Sequence, residues 1–194
     1  MTNSWDLFDT LIGRTCGTAT ELFYHVAKEI GDPEFPAKRI AAERVLQDRR
    51  EEYSLDDIYK TYADLYKISY VLAFSYSQVE WKHELANVFP IKKYVDRVLD
   101  GDIIVSDMYL SAEQLQILMY QAGIKKKVTI YVSCYGKFSG TIWKKIPVIK
   151  SVLAHTGDNK NNDVEKPQKY SVRTILANTD LSIVEQYYAR SSPS

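Results

Sequence analysis

The stretch SWDLFDTLIGR, residues 4–14, decides the fold that we expect for this chain. It places two carboxylates, Asp6 and Asp9, in a run that is otherwise largely apolar. Such a run is typical of a strand that leaves a core, where an unpaired carboxylate is costly to bury unless a metal or hydrogen bonds compensate it. Taken alone, the stretch favours a polar strand end followed by a turn, so its meaning depends on the rest of the chain.

The composition is that of an ordinary globular protein. The chain has 194 residues, 45% of them hydrophobic and 26% charged, which is enough to bury a full core. Lys plus Arg and Asp plus Glu balance at 25 each, so we expect neither nucleic acid nor a membrane as partner. Cys16 and Cys134 lie far apart and no apolar leader is visible, so we expect a cytoplasmic protein. The oligomeric state stays open.

The chain has two parts with different sequence patterns. Residues 18–94 follow a helical pattern, whereas from Lys92 onward short apolar runs such as DIIVSD, VTIYVS and VLAHTGD alternate with helical ones. This alternation favours a parallel sheet covered on both faces. We therefore predict an α/β protein with a Rossmann-like core, residues 1–15 and 96–194, and an inserted α-helical cap at 16–95. SWDLFD would be the first strand of the sheet.

Polar side chains follow nearly every predicted strand. Ligands bind at the carboxyl ends of the strands in an open parallel sheet. The residues at these ends are Asp6 to Thr10, Ser106 with Asp107, Lys137, and Gly157 with Asp158 and Asp163. Each alone has an ordinary interpretation as a cap or turn, and only their combination indicates a site.

Four motifs, in this order, resemble the haloacid dehalogenase-like (HAD) superfamily of phosphotransferases. They are DLFDT (6–10), IIVSD (103–107), Lys137 in SCYGKFSG, and GDNKNND (157–163). The helical insertion between the first two motifs is similar in placement to the family's α-helical cap of the first type. More narrowly, FDTLIGR, RIAAE, SDMYLS and GDN resemble an FDTL-type subgroup often associated with glycosyltransferases.

The resemblance implies Mg²⁺-dependent phosphoryl transfer, above all hydrolysis of a small phosphate monoester through an aspartyl phosphate on Asp6. Mg²⁺ favours oxygen ligands together with substrate phosphate. The implied protein ligands are Asp6, Asp158 and the backbone carbonyl of Phe8, with Asp163 as a further ligand or a neighbour of one.

The resemblance also implies roles for three further side chains. Ser106 would bond a phosphoryl oxygen, and Lys137 would balance the charge of nucleophile and phosphate. Thr10 would stabilise the loop or donate to the phosphate. Lys137 is chosen over Lys144 and Lys145 on spacing alone.

Phe8 departs from the family's pattern. The family's phosphatases carry a general acid and base two residues after the nucleophile, where this chain has Phe8. Asp9 is the candidate to replace it, provided that the chain turns sharply after Asp6. Two alternatives stay open: a dehalogenase-type hydrolase, and a low-activity module that binds a phosphorylated ligand beside another enzyme. We interpret the three histidines, His25, His83 and His155, as structural.

Overall fold

The structure is a computed structural model that describes residues 2–146 and 151–178. Its strands are β1 (Thr2–Trp5), β2 (Ile12–Arg14), β3 (Val88–Pro90), β4 (Ile103–Ser106), β5 (Thr129–Val132), β6 (Val152–Gly157) and β7 (Thr174–Leu176). Its helices are α1 (Ala19–Ile30), α2 (Phe35–Gln47), α3 (Leu55–Tyr66), α4 (Tyr70–Asn87), α5 (Lys92–Val95), α6 (Ala112–Gln121), α7 (Gly136–Ser139), α8 (Ile142–Lys145) and α9 (Lys166–Gln168). A π-helical turn spans Lys160–Glu165. None of the helices in the described ranges is long and apolar enough to cross a membrane.

A parallel sheet forms the centre of the fold, with the order β5-β4-β1-β6-β7 among the described strands. Trp5 of β1 is paired with Ile104 on one side and Thr156 on the other, so β1 lies in the middle. All four residues of β4 are buried, as expected for a strand covered on both faces. The predicted α/β fold is confirmed.

The first strand is shorter than predicted. It ends one residue before Asp6, whereas the sequence pattern indicated a strand through SWDLFD. The chain turns there because the backbone N–H groups of Leu11 and Ile12 both bond the carbonyl of Leu7, at 2.8 and 3.0 Å. Strand β2 follows and pairs antiparallel with β3. Asp6 therefore stands at a strand tip, followed by a tight turn.

The chain divides into two compact units, residues 1–15 with 88–194 and residues Cys16–Asn87. The first unit holds the parallel sheet. The second consists of α1 to α4, which pack against one another as the helical pattern of this stretch indicates. The boundary that we expected at residues 95 and 96 lies at 87 and 88 in the structure, because β3 pairs with β2 and so belongs with the first unit.

An ion pair occupies the core of the helical unit. Arg39 is fully buried, and its Nε and Nη2 atoms donate to Glu80 at 2.8 and 2.9 Å. Its Nη1 atom donates to Glu43 at 2.9 Å, and the hydroxyl of Tyr59 donates to Glu80 at 2.6 Å. Each charge thus faces an opposite charge, without which its burial would be strongly unfavourable.

We expect Glu80→Ala to lower the free energy of unfolding by about 3–5 kcal/mol, since it leaves the buried guanidinium without its main partner. Urea denaturation followed by circular dichroism measures this. Glu29→Ala is the matched control, because Glu29 pairs with Lys82 at 2.7 Å on the surface and its loss should cost much less. Equal losses in the two variants would contradict the role of the buried pair.

Candidate active site

Three carboxylates meet at the carboxyl end of the sheet. Asp6 follows β1, Asp158 follows β6, and Asp163 lies in the π-helical turn. One oxygen of each lies within 4.8 Å of the others, and within the described ranges this is the one group of three or more His, Cys, Asp or Glu side chains so arranged. The backbone N–H of Asp6 donates to Thr156 at 2.8 Å, which continues the pairing of β1 with β6 and holds Asp6 beside Asp158.

Lys137 lies between two of these carboxylates. It is the second residue of α7, which begins just beyond β5, and its side chain is only 2% exposed. Its ammonium is 2.6 Å from Oδ1 of Asp6 and 2.5 Å from Oδ1 of Asp163, and it donates to the Val105 carbonyl at 3.3 Å. Lys144 and Lys145 are exposed. Lys137 is therefore the lysine that the fold brings to the carboxylates.

Thr10 lies between Asp6 and Asp158. Its buried hydroxyl lies 3.1 Å from Oδ2 of Asp6 and 3.4 Å from Oδ1 of Asp158. A hydroxyl has one proton and can donate to only one of these oxygens at a time. The turn after Asp6 brings Thr10 back toward the strand tip, so the local sequence DLFDT supplies both the carboxylate and its neutral partner.

The end of β4 is tied to the acidic loop. Ser106 is its last residue and is buried, and its carbonyl accepts from the N–H of Ser133 at 3.1 Å. Next to it, Oδ2 of Asp107 accepts from the side-chain amide of Asn162 at 3.2 Å. The structure thus brings the second and fourth sequence motifs together.

Phe8 and Asp9 are placed differently from the buried carboxylates. Phe8 is half-buried, and the guanidinium carbon of Arg14 lies 4.3 Å from the centre of its ring. Asp9 is exposed, with a left-handed backbone φ of 60°, and its N–H donates to Ile12 at 2.7 Å. Asp9 does not belong to the three-carboxylate cluster of the described chain. A catalytic role for Asp9 stays a prediction.

The charges shift the pKa values of the site. Burial raises the pKa of Asp6 to about 8, against the lowering effect of Lys137. Burial also raises the pKa of Asp158. Asp163 behaves oppositely: burial opposes its ionisation, but the hydrogen bond from His155 and the charge of Lys137 lower its pKa to about 2. A divalent cation beside Asp6 and Asp158 would favour their charged forms and so offset the effect of burial on both pKa values.

We interpreted His155 as structural, and the sequence did not predict which residues it contacts. Its fully buried imidazole lies between Ser4 and Asp163, at 2.7 and 3.1 Å. Burial lowers the pKa of this histidine. The sequence did contain a signal that His155 lies near the acidic loop. It stands two residues before Gly157, where this loop begins, and residues two apart lie on the same face of a strand.

The fold of this chain is similar to that of a solved structure. No family model matches the chain, and no curated protein is significantly similar to it. The crystal structure of a haloacid dehalogenase-like family hydrolase from Xanthomonas campestris is similar, with a TM-score of 0.59 over 98% of this chain and 89% of that one. The two sequences are 12% identical, so the similarity concerns the fold. This chain has the haloacid dehalogenase-like fold, as the resemblance of its motifs implied.

We expect Mg²⁺ to stabilise the folded chain. A ligand present at 100 times its dissociation constant adds about 2.7 kcal/mol, so the melting temperature should rise with Mg²⁺ and saturate. Asp158→Asn should remove most of this rise, because it deletes one of the three charges. Asp96→Asn, at an exposed residue beyond α5, is the control. An undiminished rise in Asp158→Asn would exclude the cluster as the cation site.

Proposed function

We propose that this protein transfers phosphoryl groups with the help of Mg²⁺, and that it hydrolyses small phosphate monoesters through an aspartyl phosphate on Asp6. The arrangement of Asp6 carries this proposal. One oxygen of its carboxylate bonds Lys137 and the other bonds Thr10, beside Asp158 and Asp163. Such a carboxylate is oriented, charge-balanced and available at a strand tip, which are the requirements of a nucleophile.

The donor set of the three carboxylates fits Mg²⁺. All three offer hard oxygen atoms, and one oxygen of each lies within 4.8 Å of the other two. Small side-chain movements would bring these oxygens to the distance of about 2.0–2.1 Å at which ligands bind Mg²⁺. Asp6, Asp158 and Asp163 would hold the ion with the backbone carbonyl of Phe8. When bound, Mg²⁺ supplies positive charge that lowers the repulsion between the carboxylate and the phosphate.

The residues of the chain divide the chemistry between them. An oxygen of Asp6 forms a bond to phosphorus while the bond from phosphorus to the leaving oxygen breaks. A water molecule then attacks the same phosphorus, which releases inorganic phosphate and restores the carboxylate. In this proposal Lys137, which bonds Asp6, holds the nucleophile in position and balances its charge, and Ser106, the last residue of the neighbouring strand, would bond a phosphoryl oxygen.

Phe8 restricts the proposed reaction to certain leaving groups. A phenyl ring has no proton to give to a departing alkoxide, and the guanidinium of Arg14 over its face does not give up its proton in a protein. Leaving groups that are stable as anions need no such proton. We therefore propose acyl or aryl phosphates as better substrates than alkyl phosphates.

Phe8 also favours a second candidate function. Without a proton shuttle at position 8, the site is suited to bind a phosphorylated ligand and release it slowly, as a module beside another enzyme. The resemblance to the FDTL-type subgroup supports this version, with a glycosyltransferase as the neighbour. A dehalogenase would instead use Asp6 to displace a halide from carbon. In either version we expect a cytoplasmic protein that acts on a small molecule.

The test is a panel of phosphorylated metabolites and 2-haloacids, assayed with and without Mg²⁺. We expect phosphate release only with the metal, and Asp6→Asn should reduce it to background because the nucleophile is lost. Asp96→Asn should retain full activity. Halide release without metal would support the dehalogenase, and metal-dependent binding without turnover would support the module. Turnover that survives in Asp6→Asn would exclude the aspartyl phosphate.

Phe8→Asp should speed turnover of an aryl phosphate by up to about 10²–10⁴-fold, the usual contribution of general acid and base assistance. Arg14 lies close enough to keep the new carboxylate ionised, so the gain should fall mainly on hydrolysis of the phosphoenzyme. Rapid-quench measurement of phosphoenzyme on Asp6 separates the two steps. Phe8→Asn is the control, because it cannot transfer a proton. An equal gain in the control, or loss of wild-type activity in Asp9→Asn, would contradict this account of Phe8.

A further inference from the structure

His155 connects the first strand of the sheet to the acidic loop. Its Nδ1 atom lies 2.7 Å from the hydroxyl of Ser4, and its Nε2 atom lies 3.1 Å from Oδ1 of Asp163. All three side chains are buried. A carboxylate only accepts hydrogen bonds, so Nε2 must carry the proton of the second bond. Ser4 bonds the opposite nitrogen and thereby fixes the orientation of the ring.

Asp163 depends on neighbours because it lies in the π-helical turn and not in the sheet. Its Oδ1 atom faces both Lys137 and His155, and its Oδ2 atom accepts from the N–H of Asn159 at 3.0 Å. Gly157 leaves the room for this approach, since a Cβ atom there would overlap the carboxyl group of Asp163. His155 and Gly157 of β6, together with Asn159 just beyond this strand, therefore help to determine where this carboxylate lies.

We propose that His155 is a positioning residue, which orients Asp163 toward Lys137 and the cation through its Nε2–H group, with Ser4 fixing the ring. The inference rests on the proposed function, because it assigns Asp163 to the metal site. Partners of this kind fix the orientation of ligand side chains, and their loss typically lowers metal affinity or activity about 10–100-fold.

A packing role makes a different prediction. The ring of His155 also contacts the buried indole of Trp143, with centroids 4.7 Å apart at 72°. If the ring served only to fill this space, its shape would matter and its N–H group would not. A positioning role requires a donor at the place of Nε2, whatever group carries it.

Two amide substitutions separate these roles. The amide nitrogen of His155→Gln reaches about as far as Nε2, whereas the shorter His155→Asn can bond Ser4 but not Asp163. Calorimetry with Mg²⁺ alone gives the affinity, and an aryl phosphate at saturating Mg²⁺ gives kcat and KM. We expect His155→Asn to weaken Mg²⁺ affinity and lower kcat about 10–100-fold with KM little changed, and His155→Gln to recover most of both. Ser4→Ala should have an effect of the same kind but smaller.

The control is His83→Asn, in the helical unit, where the imidazole bonds Glu29 at 2.9 Å; it should leave Mg²⁺ affinity and kcat unchanged. Equal impairment of the Gln and Asn variants, or none in either, would overturn the positioning role. Nitrogen-15 NMR of the His155 ring tests it apart from activity. A proton on Nε2 is expected, and a proton on Nδ1 alone would overturn the inference. A wild-type chain that neither binds Mg²⁺ nor turns over any substrate would instead overturn the proposed function.

Discussion

The ammonium of Lys137 compensates two buried carboxylates, and the arrangement of the sheet end depends on it. Asp6 and Asp163 come from parts of the chain 157 residues apart, yet both contact this one cation. Leaving either charge uncompensated in the interior would cost several kcal/mol. The short helix that carries Lys137 and the turn that carries Asp163 must therefore keep their places beside the tip of β1. The contacts of Lys137 therefore stabilise this end of the sheet and also fix the geometry of the candidate site.

The central strand is fixed by a carboxylate at each end. At its start, Asp102 accepts from the backbone of Asn3 at 2.8 Å and from the indole of Trp5 at 2.9 Å, so it ties β1 to the chain just before β4. At its end, Asp6 bonds Lys137 and Thr10. A slip of β1 by one residue would break both sets of bonds. The register that positions Asp6 is thus determined well away from the candidate site as well as within it.

The sequence allowed the meeting of the carboxylates to be predicted, because parallel strands place their carboxyl ends at one edge. It also indicated Lys137 by spacing, and the α/β fold by alternation of strands and helices. Strand β3 was missed because three residues, VFP, carry no periodicity of their own and are defined only by pairing with residues 12–14. The contacts of His155 were missed for a related reason. Its partner Ser4 is 151 positions away, and no local sequence pattern predicts such a bond. Contacts between residues at the ends of parallel strands could thus be predicted from the sequence, whereas pairing of a short strand or of a single buried side chain could not.

Under the proposed function, electrostatic stabilisation and proton transfer depend on different residues of this site, and form the first and the second part of its chemistry. Lys137, Thr10 and a cation held by the carboxylates would provide the first part, since Lys137 bonds both Asp6 and Asp163 and Thr10 bonds Asp6. Phe8 occupies the position at which a general acid and base would transfer the proton. Such assistance contributes about 10²–10⁴-fold in rate, or about 3–5 kcal/mol of barrier. The barrier without assistance depends on the leaving group, because a stable anion departs without a proton. The choice of substrate is therefore set partly by the basicity of the leaving group and not only by the shape of a binding pocket.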